Sequence, residues 1–393
     1  MLKSTTMRLR SPNISGLLKL LALSALVSCL PSQRTQLTDF QLSALIDSHP
    51  PFPALSPNYY TKTTTASSRS TQSPSGANNG QNNNPAALLT PILIPRTPGS
   101  ENATIVRNHF TTHFDALSNW TVITDGFTAT VPEYGGVMGM LNFTNLIFRL
   151  TPPGSDDMAS RYLTLVAHYD SKISPFGFIG ATDSAVPCAI LMYLAETLTP
   201  YILARWQSDI AAAADDTGLQ IIFMDGEEAL VEWSDKDSLY GARHLAEVWE
   251  AEKRPSQFGR LSVLQDIDLF VLLDLLGAAS PSVPCFFEIT SWACRDIAET
   301  EATARNAGLA KTKGRKPFVQ AGNVMQNVFV DDDHMPFLTR GTPVVHVIPI
   351  PFPTVWHTMD DDGAHLSSEA VHDWAVIVTG WVAGYLGLGD FIA

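Results

Sequence analysis

The 393-residue sequence predicts an α/β fold, with a central mixed, mostly parallel β-sheet flanked by helices on both faces. Short apolar runs rich in β-branched residues alternate along the chain with longer stretches of helical character. Runs of this kind are typical of strands that are buried on both faces, which requires helices on both sides of the sheet. In such sheets ligands bind beyond the carboxyl ends of the strands. The pattern therefore predicts the fold and also the edge of the sheet where a site should lie.

Four apolar runs are predicted as strands, at 163–167, 220–224, 269–273 and 344–348. Three longer stretches are predicted as helices, at 186–197, 238–252 and 367–386. A short amphipathic helix is predicted within 35–49 and is expected to pack on the main body. Alternation of strands and helices favours a sheet that is at least partly parallel.

Acidic and imidazole side chains follow the ends of these apolar runs. They are His168, Asp170, Asp183, Glu227, Glu228, Asp274 and His357. Two carboxylates and one imidazole form a common ligand set for a catalytic zinc with an open position, and a spare carboxylate beside it can act as a general base. Taken alone, Asp183 also fits a helix N-cap, and His357 also fits a hydrogen-bonded surface histidine. The joint occurrence of all seven favours a metal site.

The composition favours a large soluble enzyme. With 45% hydrophobic residues the chain can form one large core or two smaller ones. The formal net charge is −14, from 25 Lys+Arg against 39 Asp+Glu, and the sequence has no basic cluster. Nucleic acid is therefore not an expected partner. A monomer without stable membrane insertion is expected.

Four segments are predicted along the chain. Residues 1–31 are interpreted as a cleaved secretory signal, because basic residues precede an apolar run at 16–30 that is too short for a comfortable membrane span. The alternative is a retained anchor in the Golgi or endoplasmic reticulum membrane, which Lys19 inside the run disfavours. Residues 32–60 are predicted as an N-terminal helical segment, 61–87 as a disordered low-complexity insert, and 88–393 as the catalytic domain.

Cysteines and glycosylation motifs agree with a secreted chain. Cys285 and Cys294 bracket one segment and can pair in an oxidising compartment, whereas Cys188 is expected to be a buried thiol. Three Asn-x-Thr motifs follow the predicted signal, at Asn102, Asn119 and Asn142, and can accept glycans in a secreted protein.

Eight blocks of the sequence resemble the animal-type glutaminyl-peptide cyclotransferases. They are PRTPGS, HYDSK, GATDSAVPC, DGEEA, DSLYGARHLA, LLDLLGA, DDHMPFL and PFPTVWHTMDDD. The likeness runs from about Leu88 to the carboxyl end. It implies the fold of aminopeptidase-type zinc exopeptidases and a single zinc. It also implies conversion of an N-terminal glutamine of peptides or proteins into pyroglutamate with loss of ammonia, and poor conversion of N-terminal glutamate.

The resemblance also implies roles for individual residues. The implied zinc ligands are Asp183, Glu228 and His357. Glu227 becomes the acid–base residue, with Asp274 and Asp332 in a hydrogen-bond relay to it. The implied walls of the pocket are Trp233, Phe352 and Trp356.

The sequence departs from the family pattern at three places. Asp331 stands where the family usually has Gln, which adds a negative charge at a substrate-binding position. Ala167 stands where the family usually has a Cys that pairs with the cysteine here numbered Cys188. The loop 171–180 is shorter than in the animal enzymes.

Two other functions remain open from sequence. A two-metal zinc aminopeptidase is possible because His168 and Asp274 can bind a second zinc bridged by Asp183. A non-catalytic relative that keeps the fold for binding is the second alternative, and the intact set of acidic and imidazole residues argues against it.

Overall fold

The computed structural model describes residues 34–52, 86–132, 138–155, 160–213, 216–256, 259–325 and 328–392. The predicted signal 1–31 lies outside these ranges, as does the predicted insert up to residue 85, so both stay predictions. A short helix, Ala86–Leu89, already begins within the last two residues of the predicted insert.

The described strands form one large sheet and two small ones. In chain order they are β1 (Trp120–Pro132), β2 (Met138–Leu150), β3 (Arg161–His168), β4 (Thr217–Met224), β5 (Lys253–Ser256), β6 (Gly259–Ser262), β7 (Ile267–Leu273), β8 (Val283–Cys285), β9 (Val319–Val324) and β10 (Val344–Val347). The large sheet has the order β1-β2-β4-β3-β7-β10, and β5-β6 and β8-β9 form separate pairs. In the large sheet β1, β2 and β4 pair antiparallel, while β4, β3, β7 and β10 pair parallel. The prediction of a mixed, mostly parallel sheet is confirmed.

Helices cover both faces of this sheet. In chain order they are α1 (Asp39–Ser48), α2 (Ala86–Leu89), α3 (Glu101–Asp115), α4 (Val186–Ser208), α5 (Ile210–Ala213), α6 (Tyr240–Ala251), α7 (Ser291–Asn306), α8 (Met335–Leu338) and α9 (Ser368–Tyr385). Short 3₁₀ turns lie at Thr90–Ile92, Val263–Asp266 and Gly389–Phe391, and a turn at Ala181–Ala185, with non-helical backbone angles at Asp183 and Ser184, precedes α4.

Successive residues of β3 contribute to cores on opposite faces of the sheet. Leu165 belongs to the larger core, which α3, α4, α7 and α9 also enter. Val166 belongs to the second core, which α6 enters. Because neighbouring side chains of a strand point to opposite faces, a strand between two helical layers must be apolar throughout. This is why β3, β4 and β7 appear in the sequence as continuous apolar runs.

The hairpin of β1 and β2 was not among the predicted strands. Side chains of β1 alternate between partly buried and exposed along most of its 13 residues, because α3 and α6 cover only part of this edge of the sheet. Thr, Gly and Asn residues dilute the apolar signal in both strands. The hairpin therefore lacks the continuous apolar run of the central strands.

One described helix, Ala181–Ser208, has the length and apolar composition of a membrane span. In the fold 78% of its most apolar window is buried, and α4 packs against α9 and α3. The buried central helix of a protein core has the same length and apolar composition as a membrane span, so these two properties alone do not indicate a span.

Cys285 and Cys294 form a disulfide that ties β8 to α7, while Cys188 is a buried free thiol.

A disulfide that closes a loop of about ten residues destabilises the unfolded chain by about 2–3 kcal/mol. We therefore expect Cys285→Ser combined with Cys294→Ser to lower the free energy of unfolding by that amount, measured by urea titration. Reductant should lower the free energy of unfolding of the native protein to that of the double variant. It should leave the value for the double variant unchanged. An equal response of both proteins to reductant would contradict the prediction.

Candidate metal centre and catalytic pocket

The polar residues of the site converge at the carboxyl ends of β3, β4 and β7. His168 ends β3, Glu227 and Glu228 follow β4, and Asp274 follows β7. Because these three strands are adjacent and parallel, their ends meet at one edge of the sheet. Asp183 reaches the same edge from the turn Ala181–Ala185 before α4.

Three of the predicted ligands form one cluster. The Nε2 atom of His357 lies 3.4 Å from Asp183 Oδ2 and 3.5 Å from Glu228 Oε1. Both carboxylate oxygens are buried, and neither accepts a hydrogen bond from any described residue. Buried oxygens of this charge are costly unless a donor or a cation compensates them. The three residues therefore fit a metal ion, and the set of two carboxylates and one imidazole suits zinc.

The remaining oxygens of the two carboxylates are held by other residues. Lys172 donates from Nζ to Glu228 Oε2 at 2.9 Å, and the two side chains form a largely buried ion pair. The carboxylate of Asp170 accepts the backbone N–H groups of Glu227 at 3.1 Å and of Glu228 at 3.2 Å. These contacts fix the turn after β4, so that Glu228 Oε1 points to the cluster. Sequence reasoning gave Asp170 no role and did not single out Lys172.

The loop that carries Asp183 is organised by a buried arginine. Arg96, which is fully buried, donates to the carbonyl oxygens of Gly180 at 3.0 Å and Asp183 at 3.5 Å, and also to that of Ile179. Gly180 has φ 63°, and a Cβ atom there would lie 2.1 Å from the carbonyl oxygen of Asp183. Glycine is therefore required at this turn. Arg96 lies in the PRTPGS block, but its contacts could not be read from the sequence.

A second cluster surrounds His168, whose Nε2 atom lies 3.1 Å from Asp183 Oδ1 and 3.5 Å from Asp274 Oδ1. These three residues also meet the spacing of a metal site. However, Asp274 Oδ1 already accepts hydrogen bonds from the backbone N–H of Leu275 at 2.8 Å and from the Ser184 hydroxyl. The oxygens of this second cluster therefore accept hydrogen bonds from protein donors, unlike the two oxygens that face His357.

Two residues of the site adopt left-handed backbone conformations. His357 has φ 56°, and Leu275, directly after Asp274, has φ 54°. For residues other than glycine this conformation costs roughly 1–2 kcal/mol. Strain of this kind persists where the surrounding structure over-determines it, which is common at functional sites.

Glu227 is buried beside the proposed ligands. Burial raises the pKa of Glu227 well above its ordinary value; His168 opposes this, and the carboxylates of Glu228 and Asp332 raise it further. Burial likewise raises the pKa of Asp274 to about 6, again with His168 opposing and Asp332 adding to the shift. A carboxyl group with a raised pKa can both accept and return a proton near neutral pH.

All three residues of the proposed relay are buried. Asp332 accepts a hydrogen bond from the backbone N–H of Asp333 at 2.6 Å, and its Oδ2 lies 2.8 Å from His346 Nε2. None of the hydrogen bonds among the described residues joins Glu227 directly to Asp274 or Asp332. The relay remains a prediction, and His346 contacts one of its members.

Aromatic side chains lie beside His357. The ring of Trp356 stacks on the imidazole of His357 with centroids 3.8 Å apart, and Phe352 meets Trp356 edge-on at 4.9 Å. The indole N–H of Trp233 donates to Asp331 Oδ2 at 3.1 Å. Asp331, the departure from the family pattern, thus contacts one of the predicted pocket walls.

Comparison with known proteins agrees with this geometry. The sequence profile described as Peptidase family M28 matches residues 145–382. A glutaminyl-peptide cyclotransferase-like protein of Mus musculus is 42% identical over 306 residues, covering 77% of this chain and 75% of that protein. The glutaminyl-peptide cyclotransferase of Drosophila melanogaster is 40% identical over 308 residues, which cover 76% of this chain and 79% of that protein. The structure also resembles the crystal structure of Macrostomum lignano glutaminyl cyclase, with a TM-score of 0.66 and 37% sequence identity. The match covers 76% of this chain and 88% of that one. The chain therefore belongs to peptidase family M28 and, within it, to the glutaminyl-peptide cyclotransferases.

Proposed function

We propose that this protein converts the N-terminal glutamine of peptides and proteins into pyroglutamate and releases ammonia, with N-terminal glutamate as a poor substrate. The observation that carries the proposal is the pair of buried oxygens on Asp183 and Glu228 that accept no hydrogen bond from a described residue and face His357, with the buried Glu227 beside them. Relatives at about 40% identity over three quarters of the chain, named for this activity, support it.

We further propose that Asp183, Glu228 and His357 hold one zinc ion per chain. Bound there, zinc would supply Lewis acidity that stabilises negative charge on the γ-amide oxygen of the substrate. The ordered carboxylates would reach the ion without rearrangement, because Lys172 and Asp170 already hold the Glu228 side chain and backbone.

In the proposed reaction Glu227 moves the proton. The α-amine of the substrate forms a bond to the γ-carboxamide carbon, and the bond from that carbon to the amide nitrogen breaks. Glu227 takes the proton that the α-amine loses and returns it to the nitrogen that leaves as ammonia. The raised pKa of Glu227 suits the first transfer, because a stronger base accepts the proton more readily. Asp274 and Asp332 are proposed to orient Glu227 and to sustain that raised pKa.

The aromatic walls are proposed to hold the substrate in a folded conformation. Cyclisation requires the glutamine side chain to bend back onto its own α-amine, and a fixed geometry of reacting groups lowers the barrier to such reactions. Trp233, Phe352 and Trp356 are proposed to form the surface that excludes extended conformers.

A two-metal aminopeptidase is the alternative, because His168, Asp183 and Asp274 form a second potential metal cluster. A Gln-initiated and an Ala-initiated peptide, each incubated with the protein and analysed by mass spectrometry, separate the two functions. We expect loss of ammonia from the first peptide and no change in the second. Removal of the first residue from either peptide would overturn the proposed function in favour of the peptidase.

Asp331 is proposed to favour substrates with a basic residue after the glutamine. Its carboxylate, tied to Trp233, would attract a cationic side chain through a partly screened Coulomb interaction of roughly 0–1 kcal/mol, which is a few-fold in kcat/KM. We expect Asp331→Gln to reduce the ratio of kcat/KM for Gln-Lys over Gln-Glu peptides, and rising salt to reduce it in the native protein. Asp331→Asn, which removes the charge but keeps an acceptor for Trp233, should behave like Asp331→Gln. Identical ratios in all three proteins at low salt would show that the charge does not reach the substrate.

We also propose that the chain passes through the secretory pathway and acts as a monomer. The disulfide between Cys285 and Cys294 supports an oxidising compartment, since disulfides rarely persist in the cytosol. The N-terminal basic and apolar pattern supports it as well.

A further inference from the structure

The three Asn-x-Thr motifs beyond the predicted signal occupy different structural positions. Asn102 lies in the first turn of α3, Asn142 lies within β2, and Asn119 lies in the turn between α3 and β1. A glycan needs an acceptor nitrogen that faces solvent and a backbone that leaves room for a bulky substituent. The three positions therefore differ in their suitability as acceptors.

Asn119 meets both requirements. It is exposed, and its side chain makes no hydrogen bond to any other described residue. Its φ of 68° lies in the left-handed region, which asparagine adopts more readily than other residues with a side chain. Thr121, the third residue of the motif, is also exposed.

The central residue of this motif anchors it to the core. Trp120 donates its indole N–H to the Thr199 hydroxyl at 2.8 Å and packs edge-on against Phe114. Because β1 begins at Trp120, the alternation of side chains directs Thr121 outward when Trp120 points inward. The fold thus presents Asn119 and Thr121 together on the outside.

The other two acceptor side chains already have partners. Asn102 is half-buried, and its Nδ2 donates to the carbonyl oxygen of Pro95 at 2.7 Å, next to the loop-organising Arg96. Asn142 is exposed, but it lies in the middle of the β1–β2 ladder opposite Thr128, and its Oδ1 accepts the Thr128 hydroxyl at 2.7 Å. A glycan on Asn102 would disturb the bond from Nδ2 to Pro95, and a glycan on Asn142 would extend from the middle of a strand pair rather than from a turn.

We propose that Asn119 is the N-glycosylation site of this protein. In the transfer, Asn119 Nδ2 forms a bond to C1 of an oligosaccharide carried on a lipid pyrophosphate. The bond from C1 to the pyrophosphate oxygen breaks, the lipid pyrophosphate leaves, and the nitrogen loses one proton. The inference rests on the proposed secretory route and is independent of the proposed reaction.

A glycan at Asn119 stands at the beginning of an exposed edge strand. Within the described residues β1 pairs with β2 alone, and its 13 residues span roughly 40 Å. Asp125 is the one charged side chain in this strand. Long edge strands with few charges tend to pair with other chains, and proteins commonly cover or charge them. A glycan at this position would restrict access to the first residues of the edge.

The test uses the full chain expressed in eukaryotic cells and recovered from the medium. Digestion with a peptide N-glycosidase, which converts an occupied Asn into Asp, is followed by peptide mass spectrometry. We expect the conversion at Asn119 and not at Asn102 or Asn142. Thr121→Ala should abolish the change in electrophoretic mobility on digestion, whereas Thr121→Ser, which preserves the motif, should retain it. The Asn102→Gln and Asn142→Gln variants should also show the change in electrophoretic mobility on digestion.

Thermal unfolding checks that each variant is folded. Asn119→Asp serves as a second variant without the acceptor amide, because Asp also tolerates the left-handed conformation. Secreted protein without a glycan at Asn119, or with glycans on Asn102 or Asn142 instead, overturns the proposal. Retention of the chain in the cytosol overturns it together with the secretory route. Conversion of a Gln-initiated peptide, measured on the same samples, reports on the proposed reaction separately.

Discussion

Replacing His357 with alanine is expected to abolish metal binding and catalytic activity together. His357 supplies the imidazole that faces Asp183 Oδ2 and Glu228 Oε1, so its loss leaves two carboxylates without a third ligand. Catalytic zinc sites normally use three protein ligands. Elemental analysis should give about one zinc per native chain and far less in the variant. Conversion of a Gln-initiated peptide should fall by at least about a hundredfold, as expected when electrostatic stabilisation of the transition state is lost.

The fold should survive this change, because the His357 side chain is partly exposed and lies at the rim of the cluster. Circular dichroism and thermal unfolding of the metal-depleted proteins check this. His365→Ala is the matched control, since His365 lies on the same segment but is exposed and bound to Asp362. The control should keep metal and activity. Full zinc content in His357→Ala would remove this residue from the ligand set, and two zinc ions per active native chain would favour the aminopeptidase.

Replacing Glu227 with glutamine is expected to separate metal binding from turnover. The amide keeps the size of the side chain and does not alter Asp183, Glu228 or His357, so zinc content should be unchanged. It cannot accept the proton of the α-amine, so kcat should fall on the order of a hundredfold or more. Glu228→Gln is the informative comparison, because it should reduce zinc content as well as turnover.

The pH profile offers a second measurement on Glu227. The base must be ionised to accept a proton, and burial with the neighbouring carboxylates raises its pKa. Activity should therefore decline on the acid side at a pH above the ordinary glutamate value of about 4.3. In Glu227→Gln this acid limb should disappear from the residual activity. An unchanged acid limb, or near-normal turnover in the variant, would assign the proton transfer to another group.

Much of the fold could be predicted because its central strands are buried on both faces. The observed β3, β4, β7 and β10 lie at or within a few residues of the predicted runs. Prediction failed for β1, since a strand covered on one face alternates and carries polar residues on the other. It failed for β2 as well, where Asn, Thr and Gly residues interrupt the apolar pattern before the buried carboxyl-terminal half. The helices α3 and α7 were missed too, because their apolar residues form only one stripe each.

The candidate residues of the site could be named from the sequence because they lie in short motifs, several of which directly follow strands. Asp183, Glu228 and His357 are brought together in the fold as the resemblance implied, although their roles remain to be tested. A sequence motif gives the order of residue types, but it does not show which atoms are in contact in the folded protein.

By itself, therefore, the sequence determined the class of fold, the edge of the sheet that carries the site and the candidate ligands. The tertiary structure decided how each oxygen is used: one oxygen of Asp183 meets His168, and the other meets His357. It also decided that Arg96 and Lys172, far away along the chain, hold the two carboxylate ligands in place. Contacts of this kind join residues separated by dozens of positions and depend on the packing of whole elements, so no local pattern of residues encodes them.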